Sequence, residues 1–366
     1  MKSLIKIIFM FSLAACSNVK QSPINNNFTN TISHRLIDIE EKCSRRNPID
    51  FEKAHVGINV FLQTVVDRIN KLEIPNLKNA NKNEAILVLS EIDRTLSDLG
   101  YVFCIKTNRL SDTYLNTIVT SSPESRHSVV NEKICLIIDE PEYRSINISK
   151  FWNVGMKPID CDLSSFLYYS VGEILDLPLT IVQVPKHSFI RWNFENSYLN
   201  WDTNDAREYS DNDYRLAYGI NTKSEETNKY LENRTTLETQ VYYHSIVIDD
   251  GASHECFDEF KAYLDIDDLY VSALAYNNFA WELSTQENAR GINYVKDAVS
   301  YSLKSLEMEN VCIYQDTLPC AFAANGLFEE AIQTEIKYFG LNSPRIKFFE
   351  NKLSCYEKEV ADVERC

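Results

Sequence analysis

Glycine and proline are scarce in this chain, which has nine glycines and ten prolines among 366 residues. Hydrophobic residues make up 44% of the sequence. So few turn-forming residues with so much apolar material exclude a globally disordered protein, because such a chain can bury sizeable cores. The length indicates two domains, or one large domain with an appendage.

Positive charge is also in deficit, since 37 basic residues face 53 acidic ones and the formal net charge is −16. A strongly acidic chain repels the phosphate backbone, so nucleic acid is not expected as a partner. The acidity by itself indicates no particular substrate.

Long hydrophobic runs are confined to the N-terminus, where the apolar stretch after Lys6 is too short to cross a bilayer comfortably. It predicts a signal peptide over 1–15. The motif Leu13-Ala14-Ala15-Cys16 resembles the bacterial lipobox. That resemblance implies lipid on Cys16, a membrane anchor and, with Ser17 next, the periplasmic face of the outer membrane. An ordinary signal peptide that ends near a cysteine is the alternative. Polar residues 16–40 are expected to form a flexible tether.

No Cys-x-x-Cys pair occurs among the ten cysteines, and the five histidines other than His187 lack metal-ligand spacing. We therefore expect no metal and no cofactor. In an oxidising compartment disulfides are expected, with Cys312/Cys320 and Cys355/Cys366 the simplest pairs, although the connectivity stays open. Cys161 is then the odd thiol.

Periodicity divides the chain into two regions. Residues 51–74 and 83–101 predict amphipathic helices, and "YVFCI" and "KICLIIDE" predict short strands. A helix is expected from Cys161 to Leu175, followed by strands at "LTIVQV", "SFIRW" and "SYLNWDT". The acidic stretch "DTNDAREYSDNDYR" lacks the glycine and terminal glutamate of a calcium loop, so a solvated loop is expected there.

From about Cys256 the pattern is helical throughout. "YVKDAVSYSLKSLEME" and "LFEEAIQTEIKYFGLN" align with Ala298 and Ala331 33 residues apart. This period, with alanine at the tight crossings, is similar to tetratricopeptide repeats. A generic pair of helical hairpins is the alternative. The expected boundaries are 41–255 for the first domain and 256–366 for the repeats.

Cys161 is the candidate nucleophile. The free N–H groups at a helix start favour a thiolate, while Asp160 and Asp162 oppose it. His187 begins the second strand after this helix and can act as proton acceptor. Asp202 lies on the next strand and can orient the imidazole. The alternatives are a buried structural cysteine or a disulfide, a structural histidine and a solvated aspartate.

The order Cys161, His187, Asp202 on helix, strand and strand resembles the transglutaminase-like branch of papain-type cysteine enzymes. Within it, "CDLSSFLYYSVGEILDLPLTIVQVPKHSFIRW" and "YLNWDT" are most similar to bacterial transglutaminase-like proteins with tetratricopeptide repeats. The resemblance implies an α+β fold, with N-terminal helices packed on an antiparallel sheet and all-α repeats after it. Lys186 stands where glycine is usual, and Asp202 where glutamate is also common.

Four further residues are candidates for the oxyanion hole and for a substrate groove. The backbone N–H of Cys161, with Asn153 or the Trp152 ring N–H, is the candidate oxyanion hole. Arg191 and Trp192 are candidates for lining a substrate groove, but a surface arginine and a core tryptophan are slightly favoured.

Two functions follow. The first is an envelope-anchored cysteine enzyme that hydrolyses a peptide or amide bond through a Cys161 thioester, with a protein or peptide substrate and repeats that recruit a partner. The second is a catalytically inactive scaffold whose repeats bind protein. An enzyme needs an accessible Cys161 with a low pKa within reach of His187, whereas an adaptor does not.

Overall fold

The computed structural model describes residues 28, 30–43, 51–99, 101–103, 157–185, 187–222, 225, 229–247, 254–264, 266–285, 295–351 and 353. Over these residues, no helix combines the length and the apolar character needed to cross a membrane. The expected strand "KICLIIDE", the signal peptide and Cys16 lie outside the described residues.

The N-terminal region is helical. Helix α1 spans Ile32–Cys43, α2 spans Phe51–Ile69 and α3 spans Lys82–Asp98. Asn81 starts α3 with a capping box, because its side chain accepts from the backbone of Glu84, whose carboxylate accepts from the Asn81 N–H. The two amphipathic patterns thus form the predicted helices.

Helix α1 corrects the predicted tether, which was expected to run to residue 40. Eight of its residues are buried, and the Ser33 N–H donates to Ser170 Oγ at 3.1 Å. Phe28 is also buried. The apolar residues of this stretch, such as Leu36 and Ile39, are therefore part of the protein core rather than of a linker.

The sheet that positions the site consists of β3 Leu179–Val184, β4 His187–Asn193, β5 Tyr198–Asp202, β6 Arg207–Tyr209 and β7 Asn233–Arg234. These five antiparallel strands lie in the order β6-β5-β4-β3-β7. A separate parallel pair joins β1, Tyr101–Phe103, to β2, Lys157–Ile159. Helix α4, Cys161–Leu175, packs against β3 and β4.

The acidic stretch after β5 is not the solvated loop that was expected. It contains β6 and helix α5, Asp211–Tyr218, whose capping box is formed by Ser210 and Asp213. Tyr214 of this helix is buried against Val182, Val184 and Phe189 of the sheet. This helix has only eight residues, most of them polar, and one buried residue, Tyr214. Its apolar periodicity is therefore too short to predict a helix from the sequence.

The C-terminal part is helical from about Cys256, as predicted, and one further helix, which was not predicted, precedes that boundary. The helices are α6 Thr236–Val247, α7 His254–Lys261, α8 Leu269–Thr285, α9 Val295–Met308, α10 Cys312–Ala324 and α11 Phe328–Phe339. Helices α8 and α9 form one hairpin and α10 and α11 a second, and both Ala298 and Ala331 are fully buried. One continuous core joins these helices to the N-terminal region.

The fold is therefore a mixed one, in which helices pack on an antiparallel sheet and a helical region follows, as the sequence predicts. A disulfide between Cys43 and Cys256 bridges 213 residues and ties α1 to α7. Cys320 is a free thiol, so the expected Cys312/Cys320 bond is wrong. The other expected pair, Cys355/Cys366, lies outside the described residues.

Candidate active site

His187 and Asp202 form a buried hydrogen-bonded pair. The imidazole Nε2 lies 2.7 Å from the carboxylate Oδ2, and each residue is 7% exposed. The register that pairs Ile190 with Trp201 places Asp202 two positions diagonally from His187, on the same face of the sheet. Neighbouring strands therefore bring the two side chains together, as the sequence predicts.

The pair also fixes how the imidazole can work. When Nε2–H donates to Asp202, Nδ1 is left with a lone pair, and Nδ1 lies 3.5 Å from the amide nitrogen of Asn204. The Asn204 backbone N–H donates to Asp202 Oδ1 at 3.0 Å, and the Tyr214 hydroxyl donates to Oδ2 at 3.1 Å. The carboxylate is thus held from several sides.

Two tyrosines of α5 cover the imidazole. The Tyr218 ring is stacked on His187, with centroids 5.4 Å apart and planes within 7°, and the Tyr214 centroid lies 6.0 Å away. Burial, helped by the nearby Asp202 and Cys161, raises the pKa of Tyr218 to about 12. Neither tyrosine was predicted as a site residue, because both lie on helix α5, which begins within the acidic stretch.

Cys161 is a free, half-buried thiol in the first turn of α4. Asp160 caps the helix, since its Oδ1 accepts from the Leu163 N–H at 2.9 Å. Burial raises the pKa of Cys161 to about 12, with further contributions from Asp162 and Asp160, while a hydrogen bond from the Ser188 backbone lowers it. Burial and the neighbouring carboxyl groups, which oppose the thiolate, therefore outweigh the helix N-terminus, which favours it.

Asp162 connects the helix start to the sheet. Its Oδ1 accepts from the Ser188 hydroxyl at 2.6 Å, and its Oδ2 lies 3.4 Å from the Tyr242 hydroxyl. Burial raises the pKa of this carboxyl, and burial together with the charge of Asp162 raises the pKa of Asp160 to about 6. The thiol therefore faces two carboxyl groups that are themselves held towards the neutral form.

A second link binds α4 to the end of β5. The hydroxyls of Ser164 and Thr203 lie 2.6 Å apart, and both residues are buried. Ser164 is three residues from Cys161, and Thr203 directly follows Asp202. The first turn of α4 is thus bonded to the strand of His187 through Ser188 and to the strand of Asp202 through Thr203.

The two predicted groove residues are both buried. Trp192 is fully buried, as the favoured interpretation predicts. Arg191 is only 6% exposed, so it is not the surface arginine of that interpretation. Its guanidinium donates to Asn200 Oδ1, the Leu231 carbonyl and Asp211 Oδ1 at 2.7–2.8 Å. The oxyanion candidates Asn153 and Trp152 lie outside the described residues.

Among the described residues, one cluster offers three potential metal ligands: Cys43, His244 and Cys256. His244 Nε2 lies 3.1 Å from the Cys43 sulfur, and burial lowers the pKa of this histidine to about 3. The two sulfurs are bonded to each other, so they are not thiolate ligands in this form. Their separation along the chain hid this cluster from any spacing rule.

No protein-family model matches this chain, and neither a curated protein nor a solved structure shows significant similarity to it.

Proposed function

We propose that this protein is a cysteine acyl-transfer enzyme of transglutaminase-like type, which most readily hydrolyses a peptide or amide bond. The observation that carries the proposal is the buried His187–Asp202 pair at 2.7 Å, beside a helix that begins with the free Cys161. The hydrogen bond from the Ser188 backbone towards Cys161 supports it, because Ser188 adjoins His187.

The proposed reaction has two steps. His187 Nδ1 takes the thiol proton while the Cys161 sulfur attacks the carbonyl carbon, and Asp202 holds the Nε2–H and stabilises the imidazolium. The amine then leaves with the proton from His187, and a thioester remains on Cys161. Water, activated by the same imidazole, hydrolyses the thioester and releases the acid. An amine in place of water gives a new amide.

The raised pKa of Cys161 does not meet the low-pKa requirement set out for an enzyme, so in this proposal the first step starts from the protonated thiol. Because burial holds the pKa of Cys161 near 12, the resting thiol is protonated at neutral pH. Proton transfer to His187 therefore accompanies the attack, as it does for a serine nucleophile. The proposal includes anchoring by lipid on Cys16 at the outer membrane and a protein or peptide substrate.

A second function is favoured by the same pKa. A protonated, half-buried thiol suits an inactive transglutaminase-like scaffold, in which the C-terminal hairpins bind a partner in the manner of tetratricopeptide repeats. The two functions differ in one observable, which is a covalent acyl adduct on Cys161.

The test is to incubate the full chain with an activated peptide ester and to measure its intact mass. We expect an adduct in the wild type that hydroxylamine removes, and no adduct in Cys161→Ala or His187→Ala. Cys320→Ala is the matched control, because Cys320 is also a free, half-buried thiol. An adduct that persists in Cys161→Ala, or a wild type that is never acylated, would reject the enzyme and favour the inactive scaffold.

A further inference from the structure

A cavity of about 380 Å³ lies where the sheet meets the C-terminal helices. Its walls come from β3, residues 229–234 that lead into β7, helices α6 and α8, and residues 309–317 before and within α10. Five aromatic side chains line it, namely Tyr230, Tyr242, Tyr270, Trp281 and Tyr314. This volume accommodates a long side chain and part of a peptide main chain.

Carboxylates outnumber basic groups in this cavity. Four acidic residues line it, Glu238, Glu282, Glu309 and Asp316, and only two basic residues, Lys229 and Arg234. The Lys229 ammonium lies 3.1 Å from the centroid of the Tyr270 ring, and 3.3 Å from Glu309 Oε1. The cavity therefore already holds one ammonium group between an aromatic face and a carboxylate.

Two features of the cavity lining favour a second cation over a neutral or acidic group. Glu309 Oε2 is buried and has no hydrogen-bond donor within the described residues. Trp281 is 37% exposed, which leaves part of its indole surface uncovered. An aromatic face and an unsatisfied carboxylate oxygen are the two features that stabilise a lysine or arginine side chain.

The cavity also adjoins the candidate active site through one residue. Tyr242 lines the cavity, and its hydroxyl lies 3.4 Å from Oδ2 of Asp162, which directly follows Cys161. Asn277, Asn278 and Ser245 on the same walls are hydrogen-bonded to one another, and this polar chain is the part of the lining suited to peptide groups.

We propose that the cavity binds a lysine or arginine side chain of an extended peptide, whose main chain passes Tyr242 towards Cys161. This inference rests on the proposed function for the position of the reacting bond. It names the substrate class of the site as a peptide with a cationic side chain near that bond.

The test uses three fluorescently labelled, blocked pentapeptides of alanine with lysine, norleucine or glutamate at the centre. Binding to the full chain carrying Cys161→Ala is measured by anisotropy, so that turnover does not interfere. We expect the lysine peptide to bind about tenfold more tightly than the norleucine peptide, because the second lacks only the charge. The glutamate peptide is expected to bind most weakly.

Glu309→Gln removes one cavity charge and should weaken binding of the lysine peptide several-fold without affecting the norleucine peptide. Glu307→Gln is the matched control, because it removes an exposed charge two residues away and outside the cavity lining. Trp281→Ala provides a second variant at a partly exposed position, and thermal midpoints confirm that each variant is folded.

Equal affinity for lysine and norleucine peptides would overturn the inference. So would equal losses in Glu309→Gln and Glu307→Gln, which would indicate attraction by the overall negative charge. If the lysine peptide binds as expected but the wild type forms no acyl adduct, peptide binding by the cavity is supported and the proposed enzyme function is rejected. If activated esters of all three peptides acylate the wild type equally, the proposed enzyme function is retained and this substrate class is rejected.

Discussion

The Ser188 hydroxyl lies 2.6 Å from Oδ1 of Asp162, and the residues that precede these two in the chain are His187 and Cys161. This contact joins the start of helix α4 to the start of strand β4. It therefore sets the approach of the candidate nucleophile to the candidate base, and it also places a carboxyl group beside the thiol. After burial, the charge of this Asp162 carboxyl is the next contribution that raises the pKa of Cys161.

Asp162→Asn is expected to make Cys161 more reactive. Removing the neighbouring charge lowers the thiol pKa, so the thiolate is more abundant at any pH below it. A fall of one pKa unit should raise the rate of alkylation by iodoacetamide about threefold, since the lower basicity offsets part of the tenfold gain in thiolate. In the wild type, the rate should keep rising towards pH 12.

Asp176→Asn is the control for that experiment. Asp176 is at the other end of the same helix and its side chain is 79% exposed, so the alkylation rate should not change. A wild-type rate that levels off near pH 8.5, the ordinary range of a free cysteine, would contradict the assigned environment of Cys161.

Asp202→Asn should lower acyl transfer by about 10²- to 10⁴-fold while the fold is retained. The amide no longer stabilises the imidazolium, and it does not hold the same tautomer of His187. Single-turnover kinetics with an activated peptide ester measure the effect. Tyr214→Phe removes a single hydrogen bond to the same carboxylate and should cost far less. Equal losses in both variants would show that Asp202 acts through packing alone.

Arg191→Met should destabilise the protein by about 3–5 kcal/mol, because it leaves a buried network around Asp211 without its cation. Urea unfolding measures the change. Arg207→Ala is the comparison, since that side chain is 64% exposed and pairs with Asp205 at the surface. Its effect should remain within about 0.5 kcal/mol. A small loss of stability in Arg191→Met would contradict this structural role and would favour the predicted role of Arg191 in a substrate groove.

Loss of the disulfide should be costly. Replacing both Cys43 and Cys256 by serine is expected to lower the free energy of unfolding by about 2–5 kcal/mol, because the bond closes a loop of more than two hundred residues. Calorimetry under non-reducing conditions measures the loss. Cys320→Ser should have a much smaller effect, and an unchanged melting temperature in the double variant would mean that the bond is absent in solution.

Local structure was largely predictable from the sequence. The helix from Cys161 to Leu175 and the strands on either side of His187 agree with the structure, because apolar periodicity and Pro178 encode them within a few residues. Helix α1 and helix α5 were missed. Both are rich in polar residues, and their buried faces are recognisable only from what packs against them.

The sequence by itself determined which residues stand at the start of α4 and on β4 and β5, and hence the order of Cys161, His187 and Asp202. Only the tertiary structure decided the register that closes the His187–Asp202 bond, the burial that raises the thiol pKa, the pairing of Cys43 with Cys256 and the burial of Arg191. Secondary structure follows from neighbours along the chain. Electrostatics, disulfides and burial depend on residues that meet only when distant segments pack together.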